Sequence, residues 1–471
     1  MELDQFRKHA HELVDWMADY LTHVRDYPVK SQIQPRQILD TLPTQPPTGP
    51  ESFNEIFQDF QKIILPGMTH WQHPSFFGYF PANSSPPSVL AEMLTATLGA
   101  QCMNWQTSPA AAELEERVMQ WLREMIGLPS EFTGVIQDTA STATLCSILT
   151  AREKLSAYAV NEKGFGADTK FTVYCSTEAH SSVEKAVKIA GLGRENLRKV
   201  RVDDQFALDP ADLDLAIQRD LKAGYRPLCV VATLGTTGSL ALDPIRQIGE
   251  ICRRHNMWLH VDAAMAGTAL ILPEFQWIAD GLEMADTFVF NPHKWMLTNF
   301  DCSAYFVRDK DALLRTFEIL PEYLKTPVDS QVNNYRDWGI QLGRRFRALK
   351  LWFVIRAYGA GGIQSIVRNH IHMAQSLAAK IQISPNFELL ASTPLNLVCF
   401  RLHPRYIDDP ARLNELNERL ERLLNDSGKL FLTHTKLGDA YALRIVIGQT
   451  QVRQVDVDLA WEMIQKTSQH L

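Results

Sequence analysis

Lys294 occupies a position where a lysine is costly to keep. It follows the apolar run Thr287–Phe290, which predicts a buried strand, and a predicted turn at Asn291-Pro292. An ammonium group at the end of a buried strand must be paired, neutralised or used covalently. Desolvation lowers the pKa of an amine and makes it a nucleophile towards an aldehyde, which favours covalent use. The alternative is a lysine whose ammonium group reaches solvent from the strand end.

A carboxylate ends a second predicted strand. The run Trp258–Val261 is followed by Asp262 and then by small residues that include Ala264. Small residues let a flat ring approach the backbone, and a partly buried carboxylate can hold a proton on a heterocyclic nitrogen. The alternative is that Asp262 caps the next helix.

Three more polar segments lie next to predicted strands and helices. His180 precedes a predicted helix, and it could stack on a planar cofactor or simply lie beside a serine N-cap. Thr139, Ala140 and Ser141 precede an apolar helix whose first N–H groups could bind a phosphate, although N-capping explains the same residues. Thr237 lies in a polar turn after a predicted strand and could contact the same ligand. Open α/β sheets bind their ligands at such strand ends.

The pattern of elements predicts how these groups are held. From about residue 130 to 310, short β-rich runs alternate with helical stretches, which indicates a mainly parallel sheet flanked by helices. An amphipathic helix and a proline-dense connector precede this region, and a smaller α+β unit follows it. A further helix is predicted over 108–126, with Ser108 as its N-cap. The predicted strands are Phe171–Cys175, Leu228–Leu234, Trp258–Val261, Thr287–Phe290 and Ser303–Val307.

A chain of 471 residues is too long for one simple core, so its length predicts two or three domains. The apolar stripe of the first helix needs a covering surface, which is either its own core or a second subunit.

Composition limits the classes of function. The net charge is −7 with no basic block, which indicates neither nucleic acid nor an anionic membrane as a partner. The seven cysteines are scattered and form no C-x-x-C pair, so we expect reduced thiols in the cytoplasm rather than disulfides or a zinc site. The first residues are acidic and unlike a signal peptide, and no apolar run reaches the roughly 18 residues of a membrane span. Without H-E-x-x-H, G-x-G-x-x-G or G-x-x-x-x-G-K-[ST], we expect no metal site and no nucleotide fold of those types.

The chain resembles the pyridoxal-phosphate-dependent group II decarboxylases in four site positions. Taken jointly and in this order, these are Thr139/Ser141, His180, Asp262 and Lys294. The resemblance is closest to the aromatic L-amino acid decarboxylases and covers nearly the whole chain. It implies an aspartate-aminotransferase-like α/β fold (fold type I) with a mainly parallel central sheet, assembled as a homodimer. The three segments implied are an N-terminal helical dimerisation segment at residues 1–84, a large cofactor domain at 85–360 and a small C-terminal α+β domain at 361–471. The matching segments are Trp71–Pro81, Asn104–Trp105, His180–Ala186, His260–Gly267, Asn291–Cys302 and Leu342–Arg347.

The resemblance also implies roles for individual residues. Lys294 bonds the aldehyde of pyridoxal 5′-phosphate, Asp262 keeps the pyridine nitrogen protonated and His180 stacks on the ring. Tyr323 matches the tyrosine of the family's loop that closes over substrate, and it is the candidate that returns a proton to Cα. The other cofactor-binding residues implied are Thr139, Ala140, Ser141, Thr237, Ala264, Asn291 and His293.

An aromatic substrate is implied by the cluster of rings in the segment that lines the family's substrate pocket. Ordinary core aromatics are the alternative explanation of such a cluster. Met103 matches a position that reaches across the dimer, and Gly343 stands where histidine-specific relatives often carry serine. The substrate-binding residues implied are Trp71, Tyr79, Phe80, Pro81, Ala82, Met103 and Gly343.

We therefore predict decarboxylation of dopa, tryptophan, tyrosine or phenylalanine to the aryl-ethylamine and CO₂. One alternative is an aldehyde synthase, but that branch commonly replaces the loop tyrosine or the stacking histidine, and Tyr323 and His180 are both present. The other is a cofactor-binding protein without catalysis. Three features depart from the better-known animal pattern: Ala82 replaces a threonine, Asp138-Thr139 replaces Gly-Ser, and the loop after Tyr323 is shorter.

Overall fold

Two units make up the part of the chain that the computed structural model describes, residues 1–166, 169–319 and 331–471. The larger unit comprises Ala82–Gln375 and Ala391–Val398. The smaller unit comprises Met1–Pro81, Ser376–Leu390 and Cys399–Leu471. Tyr323 and most of the loop after it lie outside the described residues. The division into three segments at residues 84 and 360 stays a prediction.

A seven-stranded sheet forms the centre of the larger unit. Its strands are β1 Thr133–Gln137, β2 Phe171–Ser176, β3 Leu197–Val200, β4 Arg226–Thr233, β5 Trp258–Asp262, β6 Thr287–Phe290 and β7 Ser303–Val307. Their order is β1-β7-β6-β5-β4-β2-β3. Neighbours from β3 to β6 pair in parallel, whereas β7 is antiparallel to both β6 and β1. The predicted α/β class with a mainly parallel sheet is therefore confirmed.

Helices precede, separate and follow the strands. In chain order they are α1 Leu3–His23, α2 Gln37–Thr41, α3 Phe53–Asp59, α4 Pro86–Leu98, α5 Pro109–Met125, α6 Ala140–Leu155, α7 Ala159–Lys163, α8 Ser182–Ile189, α9 Pro210–Lys222, α10 Ile245–Arg254, α11 Pro292–Trp295, α12 Lys310–Phe317, α13 Arg347–Gln382, α14 Pro410–Asp426 and α15 Gln454–Ser468. Gly359 breaks α13 with non-helical backbone angles. Among the described residues, no helix is both long and apolar enough to cross a membrane.

Helix α6 covers one face of the large sheet, and a buried polar network fixes that contact. Alternate residues of β5 face α6: the Trp258 indole donates to the Ser147 hydroxyl at 2.9 Å, and His260 contacts Thr144 at 3.2 Å. Burial lowers the pKa of His260 to about 4, so the ring is neutral at neutral pH. Since side chains alternate along a strand, Asp262 points to the same face as His260. The parallel strands thus bring Asp262 and the N-terminus of α6 to one edge of the sheet.

The smaller unit contains most of a second sheet and the aromatic segment near residue 76. The sheet has the order β10-β11-β9-β8, with β8 Phe387–Leu389, β9 Leu397–Leu402, β10 Thr433–Leu437 and β11 Ala440–Val446. Phe76 and Phe77 are fully buried, and Phe76 stacks on Phe431 with ring centroids 5.2 Å apart. For these two rings, the explanation as ordinary core aromatics is correct.

Most elements were predicted correctly from the sequence, and the structure differs from the prediction in two details. All five predicted strands are confirmed, with small differences in their bounds. Ser108 is the N-cap residue of α5 as predicted, but its hydroxyl accepts no backbone N–H group of the helix. The turn predicted at Asn291-Pro292 is the beginning of α11, because proline is well suited to the first turn of a helix.

Candidate active site

Lys294 lies on α11, a single helical turn that cannot be stable by itself. Residues before and after it supply the missing stability. Asn291 donates its backbone N–H to the Ala264 carbonyl at 3.0 Å, and its side-chain oxygen accepts from the Ser303 hydroxyl at 2.6 Å. The turn is thereby tied to the end of β5 and to the start of β7.

The far end of this turn is held by the residues that precede α4. Leu297 adopts left-handed backbone geometry (φ 57°), which costs a leucine on the order of 1 kcal/mol or more. Both of its backbone groups are bound: its N–H donates to the Asn83 side-chain oxygen at 3.0 Å, and its carbonyl accepts from the Ser85 hydroxyl at 2.7 Å. Asn83 also donates its own N–H to the His293 carbonyl at 2.8 Å. We call Asn83 and Ser85 the lysine clamp.

The two neighbours of Lys294 are fixed by buried side-chain hydrogen bonds. The Trp295 indole donates to Nδ1 of His370 on α13 at 3.0 Å. Nδ1 of His293 accepts the Cys302 N–H at 2.9 Å. Burial, assisted by the Lys294 ammonium, lowers the pKa of His293 to about 3, so this imidazole is neutral and can accept. Lys294 therefore projects from a turn whose orientation is set by contacts on both sides.

Asp262 lies close enough to Lys294 and His180 to affect the pKa of both. Burial lowers the pKa of Lys294, and the Asp262 carboxylate opposes that decrease. Partial burial lowers the pKa of His180, Asp262 raises it, and Lys294 lowers it again. Lys294 keeps some accessible surface although it lies deep among protein atoms, as expected of a residue that lines a pocket. The structure thus brings these three predicted residues together.

Asp262 and His180 each cap a local turn as well. Asp262 is 5% exposed, and its Oδ1 accepts the Ala264 N–H at 3.0 Å. Nδ1 of His180 accepts the Ser182 N–H at 3.2 Å at the start of α8, which makes Nε2 the protonated nitrogen of the neutral ring. Asp262 thus caps a local turn rather than the next helix, and His180 lies beside Ser181, the N-cap residue of α8, as its alternative explanation predicts. These contacts leave the second oxygen of Asp262 and the face of the His180 ring for a ligand.

The remaining predicted cofactor residues surround the same edge of the sheet. Thr139 is the N-cap of α6, and its hydroxyl accepts the Thr142 N–H at 3.4 Å. Ala140 and Ser141 follow in the first turn, where backbone N–H groups have no intrahelical acceptor. Thr237 is exposed in the turn after β4. Their phosphate and ring contacts stay predictions.

The small residues after Asp262 have a packing explanation that the sequence did not indicate. A Cβ atom added at Gly267 would lie 2.4 Å from Cβ of Phe290 and 3.2 Å from Cβ of Ala263. Gly267 therefore lets the segment after β5 pack on β6. Ala264 keeps accessible surface at the site, whereas Gly267 is buried and cannot contact a ring directly.

The predicted substrate residues are divided between the two units. Trp71, Tyr79, Phe80 and Pro81 belong to the smaller unit, in which the exposed Tyr79 ring stacks on Trp71 with centroids 5.7 Å apart. The others belong to the larger unit, where Gly343 is exposed and Met103 and Ala82 are half-buried. Ala82 directly precedes Asn83 of the lysine clamp.

The donor set fits pyridoxal 5′-phosphate. A lysine with a lowered pKa suits an aldehyde, and a buried carboxylate on the same edge suits a pyridinium nitrogen. A long helix whose first N–H groups point outward suits a phosphate. Among the described residues, no group of three potential metal ligands comes together.

Known proteins of this fold and site are pyridoxal-phosphate enzymes of the aspartate-aminotransferase type. The structure of Catharanthus roseus tryptophan decarboxylase with L-tryptophan is 37% identical and covers 100% of this chain and 99% of its own, with a TM-score of 0.94. The structure of an Oryza sativa tryptophan decarboxylase with the cofactor and tryptamine is 34% identical in sequence. The match covers 100% of this chain and 99% of that chain, with a TM-score of 0.97.

Curated relatives agree with the structural comparison. Phenylacetaldehyde synthase of Arabidopsis thaliana is 43% identical over 100% of this chain and 97% of its own length. Tyrosine decarboxylase 4 of Petroselinum crispum is 41% identical over 99% of this chain and 93% of its own length. The model of the pyridoxal-dependent decarboxylase conserved domain matches residues 35–403. The chain belongs to the pyridoxal-dependent decarboxylase family, and its cofactor is pyridoxal 5′-phosphate.

No local pattern in the sequence predicts the lysine clamp. Ser85 immediately before Pro86 is typical of an ordinary N-cap, yet its hydroxyl bonds Leu297 rather than the first turn of α4. Asn83 lies 214 positions from the residue whose N–H it accepts. Separations of this kind carry no local pattern, so only the fold reveals them.

We expect Ser85→Ala to loosen the turn of Lys294 and so speed the loss of bound cofactor about fivefold, because one buried hydrogen bond is removed. The measurement is the fraction of cofactor that borohydride fixes to the protein at intervals after dilution, with Lys294→Ala as the zero reference. Thr95→Val is the matched control: Thr95 lies on α4, the helix that follows Ser85, it is buried, and its hydroxyl has no hydrogen-bond partner among the described residues. Equal retention in Ser85→Ala and the wild type would contradict a positioning role.

Proposed function

We propose that the protein decarboxylates aromatic L-amino acids to aryl-ethylamines and CO₂. The observation that carries the proposal is the meeting of Lys294, Asp262 and His180 at the carboxyl edge of the large sheet. Relatives that match almost the whole chain are named for tyrosine and tryptophan decarboxylation, which supports an aromatic substrate. The exposed ring of Tyr79, stacked on Trp71, offers an aromatic surface.

Each residue has a physical task in this proposal. Bound pyridoxal 5′-phosphate supplies an aldehyde that condenses with amines and a ring that withdraws electrons from the bond to the carboxylate. Lys294 would hold the cofactor covalently, and its lowered pKa raises the fraction of neutral amine that bond formation needs. Asp262 would hold a proton at the ring nitrogen, and the imidazole of His180 would stack on the ring. Thr139, Ala140 and Ser141 would hold the phosphate through hydroxyl and N–H groups. Asn291, His293, Thr237 and Ala264 complete the wall of the site.

Proton return to Cα decides the product. In a decarboxylation, the carbon that loses CO₂ must gain a proton from an acid within hydrogen-bond reach. We assign this acid to the Tyr323 hydroxyl on the resemblance described above. Substrate contacts are assigned to Trp71, Tyr79, Phe80, Pro81, Ala82, Met103 and Gly343.

A second candidate is oxidative conversion to the aldehyde. The Arabidopsis relative at 43% identity is a phenylacetaldehyde synthase, which favours this activity. The reaction would consume the amino acid, O₂ and water and release the aldehyde, CO₂, ammonia and hydrogen peroxide. Tyr323 and His180 in this chain support simple decarboxylation instead.

A substrate panel tests the proposal. We expect purified holoenzyme to release CO₂ and the matching amine from tyrosine, tryptophan, dopa or phenylalanine under nitrogen, and to leave L-glutamate unchanged. An oxygen electrode run with the active substrate should show no uptake. Oxygen uptake with equal amounts of ammonia would establish the aldehyde synthase. No CO₂ from any of the four, either under nitrogen or in air, would refute both functions.

We expect Tyr323→Phe to bind the aromatic substrate but to lose at least about 100-fold in amine formation, because general acid catalysis typically contributes that much. Amine and aldehyde are quantified together by chromatography. Tyr158→Phe is a control on a tyrosine outside the proposed site. Wild-type amine output from Tyr323→Phe would remove Tyr323 from the mechanism.

A homodimer is the proposed assembly. Leu90, Leu94 and Leu98 recur four residues apart on α4 and are 52%, 46% and 66% exposed, so they form one apolar stripe. Helix α1 has no buried residue, although it carries Leu3 and Phe6. Contiguous exposed apolar surface of this kind marks interaction sites.

We expect Leu94→Glu to shift the protein from dimer to monomer in sedimentation equilibrium, because it places a charge in the apolar stripe of α4. Leu215→Glu on α9 is the control, since Leu215 is 47% exposed but does not belong to that stripe. A wild-type protein that sediments as a monomer, or an unchanged dimer in Leu94→Glu, would contradict this interface.

We propose that the protein works in the cytoplasm. All seven cysteines are free and buried, which is compatible with a reducing compartment. The expectations that neither nucleic acid nor a membrane is a partner stay predictions.

A further inference from the structure

Asp138 places a carboxylate at the N-terminus of α6, the helix to which we assign the cofactor phosphate. It directly precedes the N-cap residue Thr139. Its Oδ1 accepts the Thr139 N–H at 2.6 Å and lies 3.4 Å from the Thr139 hydroxyl. A backbone donor at the entrance of this helix is therefore already bound to an anion that belongs to the chain itself.

The charge of Asp138 is not neutralised by direct contact. Its Oδ2 accepts from the uncharged side-chain amide of Gln341 at 3.2 Å. Arg347 is within electrostatic range, but its guanidinium donates to Asp301 at 2.7 Å. In the described ranges of the chain, Asp138 forms no ion pair. A phosphate monoester that approaches Thr139–Ser141 with a charge near −2 thus meets a carboxylate.

The contact with Gln341 shows what Asp138 contributes to the fold. Its neighbour Gln137 donates its side-chain amide to the Trp338 carbonyl at 2.9 Å. The last residue of β1 and the residue that follows it therefore hold the segment 338–341, which ends two positions before Gly343. The Asp138 carboxylate thus also anchors the segment that precedes a proposed substrate residue.

We propose that Asp138 weakens the binding of the cofactor phosphate through like-charge repulsion and competition for the Thr139 N–H. The inference rests on the proposed placement of the phosphate at α6. Repulsion between charges a few ångströms apart at a partly solvated site is worth on the order of a tenfold change in affinity. The cofactor of this chain is thus held less tightly than the rest of its site permits.

Asp138→Asn tests the charge with little change of shape. The Asn oxygen can still accept the Thr139 N–H, and the Gln341 amide can rotate to accept from the new NH₂ group. We expect the dissociation constant of apoprotein for pyridoxal 5′-phosphate to fall about tenfold. Binding of pyridoxal, which lacks the phosphate, should not change. Inorganic phosphate should also compete with pyridoxal 5′-phosphate at lower concentration in the variant.

Two controls separate the local charge from other effects. Glu131→Gln removes one exposed carboxylate before the opposite end of β1, and it should leave both affinities unchanged. Asp138→Ser is the second variant, used if Asp138→Asn lowers the unfolding temperature of the apoprotein.

Each outcome decides between the two proposals. Unchanged or weaker cofactor binding in the Asp138 variants overturns the inference, and so does an equal gain for pyridoxal. A wild-type protein that binds pyridoxal as tightly as its phosphate ester overturns the placement of the phosphate at α6, and the inference falls with it.

Discussion

The site depends on holding one helical turn, α11, in a fixed orientation. A single turn is unstable alone, and here a left-handed Leu297 follows it. Asn83 and Ser85 bind both backbone groups of Leu297, while Asn291 and His293 are tied to β5 and β7. The lysine on this turn is useful only because four separate parts of the larger unit restrain the backbone around it.

The site also depends on the large sheet, whose parallel strands bring groups of opposite charge together at their carboxyl ends. Parallel β4, β5 and β6 end together, so Asp262 and the residues after β6 lie side by side. The network of His260, Ser147 and Trp258 fixes β5 against α6 and so sets the face to which Asp262 points. Burial then lowers the pKa values of Lys294 and His180, which raises the neutral fraction of both groups.

Much of this could be predicted from local patterns. The strands Thr287–Phe290 and Ser303–Val307 were predicted with their observed bounds, because short apolar runs between turns identify buried strands. Lys294 and Asp262 stand out in the sequence because a charged residue at the end of a buried strand is costly, whereas the assignment of His180 and the grouping of all three residues rest on the resemblance to the decarboxylase family. The aromatic segment was less informative: Phe76 and Phe77 are core residues, and Tyr79 is exposed.

The sequence by itself determined the chemistry: a lysine, a carboxylate, an imidazole and a hydroxyl-rich turn, each next to a predicted element. Residue types are local properties, and so are the repeats of apolar residues every two positions in a strand and every 3.6 in a helix. They can therefore be read directly from the sequence. The tertiary structure alone decided how these groups are restrained. The clamp of Leu297, the bond from Trp295 to His370 and the contact of Asp138 with Gln341 join residues far apart in the chain. Such pairings arise from packing of the whole unit, and no spacing within the sequence records them.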